Sequence, residues 1–409
     1  MDATKYLLIG GGLACLEAAK AIRQHDTAGA ITMVCDERHL AYNRPPLSKE
    51  YLRGAEQREK LYYQPQSFYD EQRVQCVLGT RVERLDARKA QATLAGGRVI
   101  GYEKALIATG GSAVRLNVPG ASLKGVHGLR TIEDAEAIGA GAGQGKRAVI
   151  VGAGFIGLEA AASLTMKGME VTVVEAMPRI WPRFAGAELA GFVQRQCEQK
   201  GVRFVTGDGL FSFTGEGSVG AVKTLAGQVL RCDLAIVGVG IRPSVELAQD
   251  AGLTVDNGIV VDERMQTSHP GVYAAGDVAN YLDPVFGKRR RVEHWGHAEH
   301  SGAVAGLNMA GQESRYGMVS YAWSDIFDMH LEFAGDESEH DQALVRGSME
   351  ERVFKVLFLK EGRLQAYFAI NTDMKEFPIL QQLIKRKKDL SGRTVQLGDV
   401  SFNIRELLK

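Results

Sequence analysis

Ala148-Val149-Ile150-Val151-Gly152-Ala153-Gly154-Phe155-Ile156-Gly157 is the stretch that decides the fold. A short apolar run is followed by glycines spaced G-x-G-x-x-G and then by the alanine-rich Leu158-Glu159-Ala160-Ala161-Ala162, so strand, tight turn and helix follow in order. The glycines have separate tasks: a tight turn, close approach of backbone to a pyrophosphate at the helix N-terminus, and close helix-to-strand packing. The next apolar run, Val171-Thr172-Val173-Val174, ends at Glu175, where a carboxylate can hold a ribose hydroxyl. The spacing predicts a dinucleotide-binding unit.

The N-terminus repeats the arrangement. Tyr6-Leu7-Leu8-Ile9 leads into Gly10-Gly11-Gly12, Leu13 and Ala14 open an alanine-rich helix, and Ile31-Thr32-Met33-Val34 runs on to Asp36-Glu37. Cys15 stands where the third glycine belongs, a position that mainly tunes packing. Two such units in a chain of 409 residues predict an α/β protein of two to three domains with sites for two dinucleotides.

Charge and composition narrow the partners. Lys plus Arg (49) equals Asp plus Glu (49), which removes the argument for nucleic acid as a main partner. No apolar run reaches the ~18 residues that span a bilayer, and the N-terminus enters a strand with no signal-peptide pattern, so a soluble cytoplasmic protein is expected. Cys15, Cys35, Cys76, Cys197 and Cys232 form no C-x-x-C pair and have no histidine at ligand spacing. They read as free thiols in a reducing compartment, with no metal site and no dithiol to pass electrons to a disulfide.

Gly139 to Lys146 imitates a phosphate loop, but Ala140 and Arg147 break that pattern, and the stretch reads as the turn into the second unit. The basic run Lys288-Arg289-Arg290-Arg291 reads first as a solvated surface and second as a patch for an acidic redox partner. Lys385-Arg386-Lys387-Lys388 reads as one face of a helix beginning near Lys375. Strand-like Val353 to Leu359, a Glu361-Gly362 turn and Leu364 to Phe368 predict a hairpin.

Tyr42-Asn43-Arg44-Pro45-Pro46-Leu47-Ser48-Lys49, then Ala108-Thr109-Gly110, then Thr267 to Val278 with Ala275-Gly276-Asp277 near its end, occur in that order. Over residues 4 to 370 the chain thereby resembles the FAD-dependent pyridine nucleotide oxidoreductases. The Arg-Pro-Pro-Leu-Ser-Lys element narrows the resemblance to the ferredoxin reductase components of bacterial oxygenase systems, with their rubredoxin reductase, putidaredoxin reductase and apoptosis-inducing-factor-like relatives. Ala41 and the stretch from Ser391 to Lys409 depart from that pattern.

The resemblance implies a glutathione-reductase-like architecture. Two Rossmann-like dinucleotide-binding domains, one for FAD (1–111 and 242–321) and one for NADH (112–241), would be joined by a C-terminal α+β interface domain (322–409). FAD would lie with its pyrophosphate at Gly10, Gly12, Leu13 and Ala14 and its adenosine ribose on Asp36. Val82, Ala108, Thr109, Gly110 and Arg130 would line its course, Gly276 and Asp277 would hold the ribitol, and Arg44, Pro45 and Lys49 would reach the isoalloxazine. Glu293-His294-Trp295 precedes a helix that would aim its positive end at the flavin, and Trp323 would sit where an iron-sulfur partner docks. His294 and His297 have no catalytic duty in hydride transfer.

NADH would take the second turn, Gly152, Gly154, Phe155, Ile156 and Gly157, with Gly238 and Gly240 beside it. Glu175 would favour NADH over the 2′-phosphate of NADPH, while Arg179 and Arg183 could tolerate that phosphate. Glu159 would pair with Lys49 and so fix a cation beside the flavin N5. The implied activity is NADH:ferredoxin oxidoreductase, passing single electrons to a small [2Fe-2S] ferredoxin near Trp323 and the 288–291 run. Two alternatives stay open: an NADH oxidase or disulfide reductase, though Asn43 falls close to where its redox cysteine would be, and an apoptosis-inducing-factor-like redox-switched binding protein.

Overall fold

The computed structural model describes residues 2–182 and 185–409. The first glycine turn leaves the centre of a sheet in which Asp2–Ile9 pairs in parallel with both Ile31–Val34 and Val99–Ile107. Val74–Val77 extends one side, and Val272–Ala274 returns from far along the chain to the end of Val99–Ile107. Leu7, Leu8 and Ile9 are almost wholly buried, because helices and strands cover both faces of a parallel sheet and leave no solvent side for polar residues. Antiparallel strands Gln91–Leu94 and Val82–Asp86 complete the sheet.

The second unit repeats the plan. Arg147–Val151 lies between Glu170–Glu175 and Leu234–Val237, with Arg203–Thr206 and Val126–His127 at the edges, all parallel. Two short strands, Gly111–Ala113 and Ile241–Pro243, pair antiparallel as the chain passes between the two sheets. The helix Ile132–Gly141 starts at a capping box in which Thr131 accepts from the Asp134 N–H. It therefore absorbs Gly139 and Gly141, which were expected in a turn, and the turn itself is confined to residues 142–146.

The C-terminal sheet is antiparallel, ordered Tyr321–Ile326, Met329–Gly335, Arg363–Ile370, Val353–Lys360, Gln342–Ser348. The expected hairpin turns at Glu361 and Gly362, both with positive φ (49° and 69°). Helix Phe377–Arg386 lays Phe377, Leu380, Leu383 and Ile384 on the sheet. It ends inside the second basic run, since Lys387 takes the left-handed cap (φ 49°). That run is thus a helix terminus, where cations offset the macrodipole, and not one helical face. The tail beyond is anchored: Leu397, Ile404 and Leu407 are buried in the same cluster, and buried Arg346 donates to the Leu397, Asp399 and Phe402 carbonyls.

Candidate functional site

A cleft of about 1720 Å³ runs between the two parallel sheets and under the C-terminal one. Single small-molecule pockets measure about 300–1,000 Å³, so its size suits more than one large ligand. The first glycine turn forms one end. Gly10 has φ +131°, and a Cβ there would stand 2.3 Å from the Ala108 carbonyl oxygen, so the turn packs against the next strand as a bare backbone. Gly12 precedes helix Leu13–His25 with no side-chain cap, leaving the N–H groups of that helix end open to an anionic ligand. Asp36 is exposed on the cleft wall and, among the described residues, has no hydrogen-bond partner. A free carboxylate at this distance from a glycine cradle fits a dinucleotide ribose.

Arg44 lines the cleft but is held by the protein's own groups. It donates to Glu37 Oε1 at 2.5 Å, to the Tyr42 hydroxyl at 2.9 Å and to the Arg130 carbonyl at 2.7 Å, so it braces the Tyr42–Lys49 loop. Asp277, expected to hold a ligand hydroxyl, is paired with the Arg130 guanidinium at 2.7 Å. That pair satisfies the partner a half-buried carboxylate needs. Thr109 Oγ1 donates to the Ser244 carbonyl at 2.7 Å. Pro45, Val82, Ala108, Gly110 and Gly276 line the same wall.

The second turn closes the other side. Gly152 has φ +105°, with its Cβ position 2.5 Å from the Gly238 carbonyl oxygen. Gly154, Phe155, Ile156, Gly238 and Gly240 line the cleft, whereas Gly152 and Gly157 are buried behind it. Glu175 does not stand free: its two oxygens accept from the Ala153 and Met177 N–H groups, each at 2.9 Å. It thus ties the glycine turn to the end of its own strand. Arg179 reaches the Pro182 and Ala185 carbonyls at 3.4 Å. Arg183 lies outside the described residues.

The expected Lys49–Glu159 ion pair is not what forms. Glu159, 4% exposed, accepts from Ser48 Oγ at 2.5 Å and from Ser324 Oγ at 2.6 Å. Burial pushes its pKa up, opposed by nearby Lys49 and the two hydroxyls. Lys49, 4% exposed, donates instead to Asp325 Oδ2 at 2.8 Å. Asp325 also meets His330 Nδ1 at 2.7 Å. Burial raises the Asp325 pKa, but the hydrogen bonds from His330 and Lys49 outweigh it and hold the group at about 2. The difference is geometric: Ser48 and Lys49 are adjacent and point apart, so the hydroxyl takes Glu159 and the ammonium takes the next carboxylate.

Trp295 and Trp323 stand edge to face at 5.6 Å at the cleft's end under the C-terminal sheet. Trp295 Nε1 donates to the Tyr63 hydroxyl at 2.6 Å. His294 caps helix Trp295–Met309, bonds Ser320 Oγ at 2.7 Å, and is pulled down to about 4 by burial, so the imidazole there is neutral. The positive end of that helix faces the cleft beside it. Glu293 accepts from Arg291 at 2.7 Å. Three of the four cations of the Lys288–Arg291 run are paired with acids, Lys288 with Asp336, Arg290 with Asp283 and Arg291 with Glu293, while exposed Arg289 donates to the Val261 and Asn280 carbonyls.

Sequence reasoning missed Ser48, Ser324, Asp325 and His330. Ser48 sits inside the quoted Tyr42–Lys49 stretch, and Ser324 and Asp325 are the two residues that follow Trp323; a buried Lys and a buried Glu each demand a partner, and these were the neighbouring polar groups.

The profile of the Pyridine nucleotide-disulphide oxidoreductase family matches residues 4–302, and that of the Reductase C-terminal family matches 321–408. The chain belongs to the pyridine nucleotide-disulphide oxidoreductase family. The C-terminal match extends through the tail that departs from the expected pattern. Rhodocoxin reductase of Rhodococcus erythropolis is 36% identical over 366 residues, covering 89% of this chain and 86% of that one. Putidaredoxin reductase of Pseudomonas putida is 32% identical over 408 residues, covering 98% and 96%. The putidaredoxin reductase–putidaredoxin complex superposes with a TM-score of 0.95 at 32% identity, over 99% of this chain and 98% of that one. The two-unit fold with its C-terminal interface domain is thus that of this oxidoreductase family.

Proposed function

We propose that this chain is an FAD-containing NADH:ferredoxin oxidoreductase, which serves a small [2Fe-2S] ferredoxin or similar carrier, as the names of its relatives indicate for them. The observation that carries the reading is the cleft in which both glycine turns, Glu159 with Ser48 and Ser324, and the Trp295–Trp323 edge lie together, with Lys49 directly behind that wall. FAD bound there supplies the exchange between hydride and single-electron chemistry that no side chain offers. The residues present fit it: a glycine cradle at Gly10 and Gly12, an unpartnered Asp36, and a helix end at Trp295 directed at the cleft.

The remaining work belongs to side chains. Lys49 sits behind the cleft wall of Ser48, Glu159 and Ser324, and its ion pair with Asp325 fixes where the ammonium lies; such a cation favours negative charge arriving in front of it. Ser48 and Ser324 hold Glu159 in place. Glu175 steadies the second turn and disfavours a 2′-phosphate, so NADH is favoured over NADPH. Arg130 holds Asp277 toward the ligand chain.

In this reading residues 1–111 with 242–321 take FAD, 112–241 take NADH, and 322–409 form the interface unit, a division supported by the pairing of Gly111–Ala113 with Ile241–Pro243 where the chain passes between the two sheets. Among the described residues no helix is long and apolar enough to cross a membrane, and the five cysteines are free, which supports assignment to the cytoplasm. Cys35, on the cleft wall, is pushed up to about 12 by burial, which weighs against a thiolate-based disulfide reductase.

The test is NADH-dependent reduction of cytochrome c with and without a [2Fe-2S] ferredoxin. Strong stimulation by the ferredoxin is expected. Rapid NADH loss to oxygen alone would instead make the protein an oxidase, and neither activity would make it a redox-switched binding protein.

A further inference from the structure

Three side chains, one from the Tyr42–Lys49 loop and two from one C-terminal hairpin, form a charged line directly behind the cleft wall made by Ser48, Glu159 and Ser324. Lys49 Nζ donates to one oxygen of Asp325 at 2.8 Å, and His330 Nδ1 meets the other at 2.7 Å. The Lys49 side chain is 5% exposed, whereas those of Asp325 and His330 are each 40% exposed. One carboxylate is therefore shared between a buried cation and an imidazole that water can reach. Backbone register fixes this geometry, since Asp325 and His330 are directly opposite in the antiparallel pair Tyr321–Ile326 and Met329–Gly335. On its other side the His330 backbone exchanges hydrogen bonds with Asn371, its N–H donating to the amide oxygen at 2.8 Å and its carbonyl accepting from the Asn371 N–H at 2.9 Å. The charged groups that act on the ring are Asp325 across the strand pair, Lys49 from the loop and Glu332 from its own strand.

We infer that His330 is a pH-responsive positioning residue, which through Asp325 sets how firmly Lys49 is held and how much positive charge is presented to the cleft. The inference rests on the FAD-dependent function proposed above. With Asp325 ionised, Nδ1 carries the hydrogen of the shared bond, so the proton that comes and goes is on the outward Nε2. The bond to Asp325 is the main cause of a raised imidazole pKa. Below that pKa two cations share one carboxylate, and the cleft gains a positive charge that favours incoming negative charge. Above it, Asp325 serves Lys49 alone and that charge is gone. A hydrogen-bonded imidazole is suited to this, because its charge changes while its position does not.

The experiment uses the flavin-loaded full chain. With isotope-labelled histidine, NMR titration should give His330 a pKa above the ordinary histidine value, and Asp325→Asn should lower it. Anaerobic reduction by NADH and the midpoint potential of the bound flavin are then followed against pH in wild type, His330→Gln and His330→Lys. Wild type should slow by about threefold across the His330 titration, the size expected of one half-exposed charge, and its potential should inflect at the pKa read by NMR. His330→Gln should lose both features, and His330→Lys should hold the low-pH values to high pH. Retention of the wild-type profile and inflection in His330→Gln overturns the role of His330 alone. A chain that holds no flavin reducible by NADH overturns the function beneath it.

Discussion

Alanine at Gly10 and alanine at Gly12 should fail in different ways. At Gly10 the new Cβ would stand 2.3 Å from the Ala108 oxygen and 2.8 Å from its carbonyl carbon, at φ +131°. Strain at such a backbone angle costs about 1–3 kcal/mol. Overlap with the backbone that follows the buried strand Val99–Ile107 adds about 1–3 kcal/mol. At Gly12, φ is −91° and ψ −173°, extended backbone that any residue adopts, and no atom lies within 4 Å of the Cβ position. There the fold should be unaffected, or stabilised by about 0.4–1 kcal/mol through a stiffer unfolded chain. The methyl group would, however, project into the space where the pyrophosphate is to lie. Urea unfolding of the two apoproteins, followed by circular dichroism, should therefore separate them by at least ~2 kcal/mol. Flavin titration by fluorescence quenching should show Gly12→Ala weakened by about tenfold or more. A Gly12→Ala protein that binds FAD as wild type does would refute the placement of the pyrophosphate, and a Gly10→Ala apoprotein of undiminished stability would refute the packing argument.

Three further outcomes are expected. Glu175→Ala should narrow the preference for NADH over NADPH and, because it orphans the Ala153 and Met177 N–H groups, lower stability by about 1–3 kcal/mol; an unchanged ratio of kcat/KM values would contradict the ribose role. Lys49→Gln should slow anaerobic flavin reduction more than it weakens flavin retention, as read by stopped-flow absorbance and by flavin content after dialysis, and the reverse order would make Lys49 a binding group only. Glu376→Gln should cost about 3 kcal/mol, because Arg346, 2% exposed, and Lys355 both rest on that carboxylate. Burial raises the Glu376 pKa, but its two cations outweigh this and keep it below the ordinary value. The stabilisation is then complete at neutral pH and is lost as acid titrates the folded group, so the wild-type advantage over Glu376→Gln should vanish at low pH in chemical unfolding curves; an advantage that persists there would contradict the linkage.

The local units were legible in the sequence because each carries its own periodicity. Tyr6–Ile9 and Ala148–Val151 are apolar without alternation, as strands buried on both faces must be, and each meets its glycines at once. Pairing between distant side chains was not legible. Nothing in the spacing of Lys49 and Glu159 says which of two adjacent residues, Ser48 or Lys49, points toward the second unit, and Asp325 becomes a partner only through the register of a hairpin formed much later in the chain. The pairing of the 288–291 run was not legible for the same reason: two of its acids, Asp283 and Asp336, are drawn in by a short strand pair and by the C-terminal sheet. A cluster of charges in sequence is a patch only if the fold leaves it unpaired.

Those long-range pairs also say what the C-terminal unit is for. Ser324 reaches Glu159 across 165 positions of sequence, and Asp325 reaches Lys49 across 276. Without that sheet, Glu159 would keep only the Ser48 hydroxyl and Lys49 would lose the carboxylate it is bonded to, and a buried ion that loses its partner is strongly destabilising. The second unit shares one hydrophobic cluster with the C-terminal sheet, and Lys49 has a defined position only once that sheet has docked. The same strand that supplies Ser324 and Asp325 carries Trp323 at the cleft's outer edge. Whatever partner presses on that tryptophan presses on a strand whose next two residues hold the buried Lys49 and Glu159, so docking and the electrostatics of the cleft share one mechanical element.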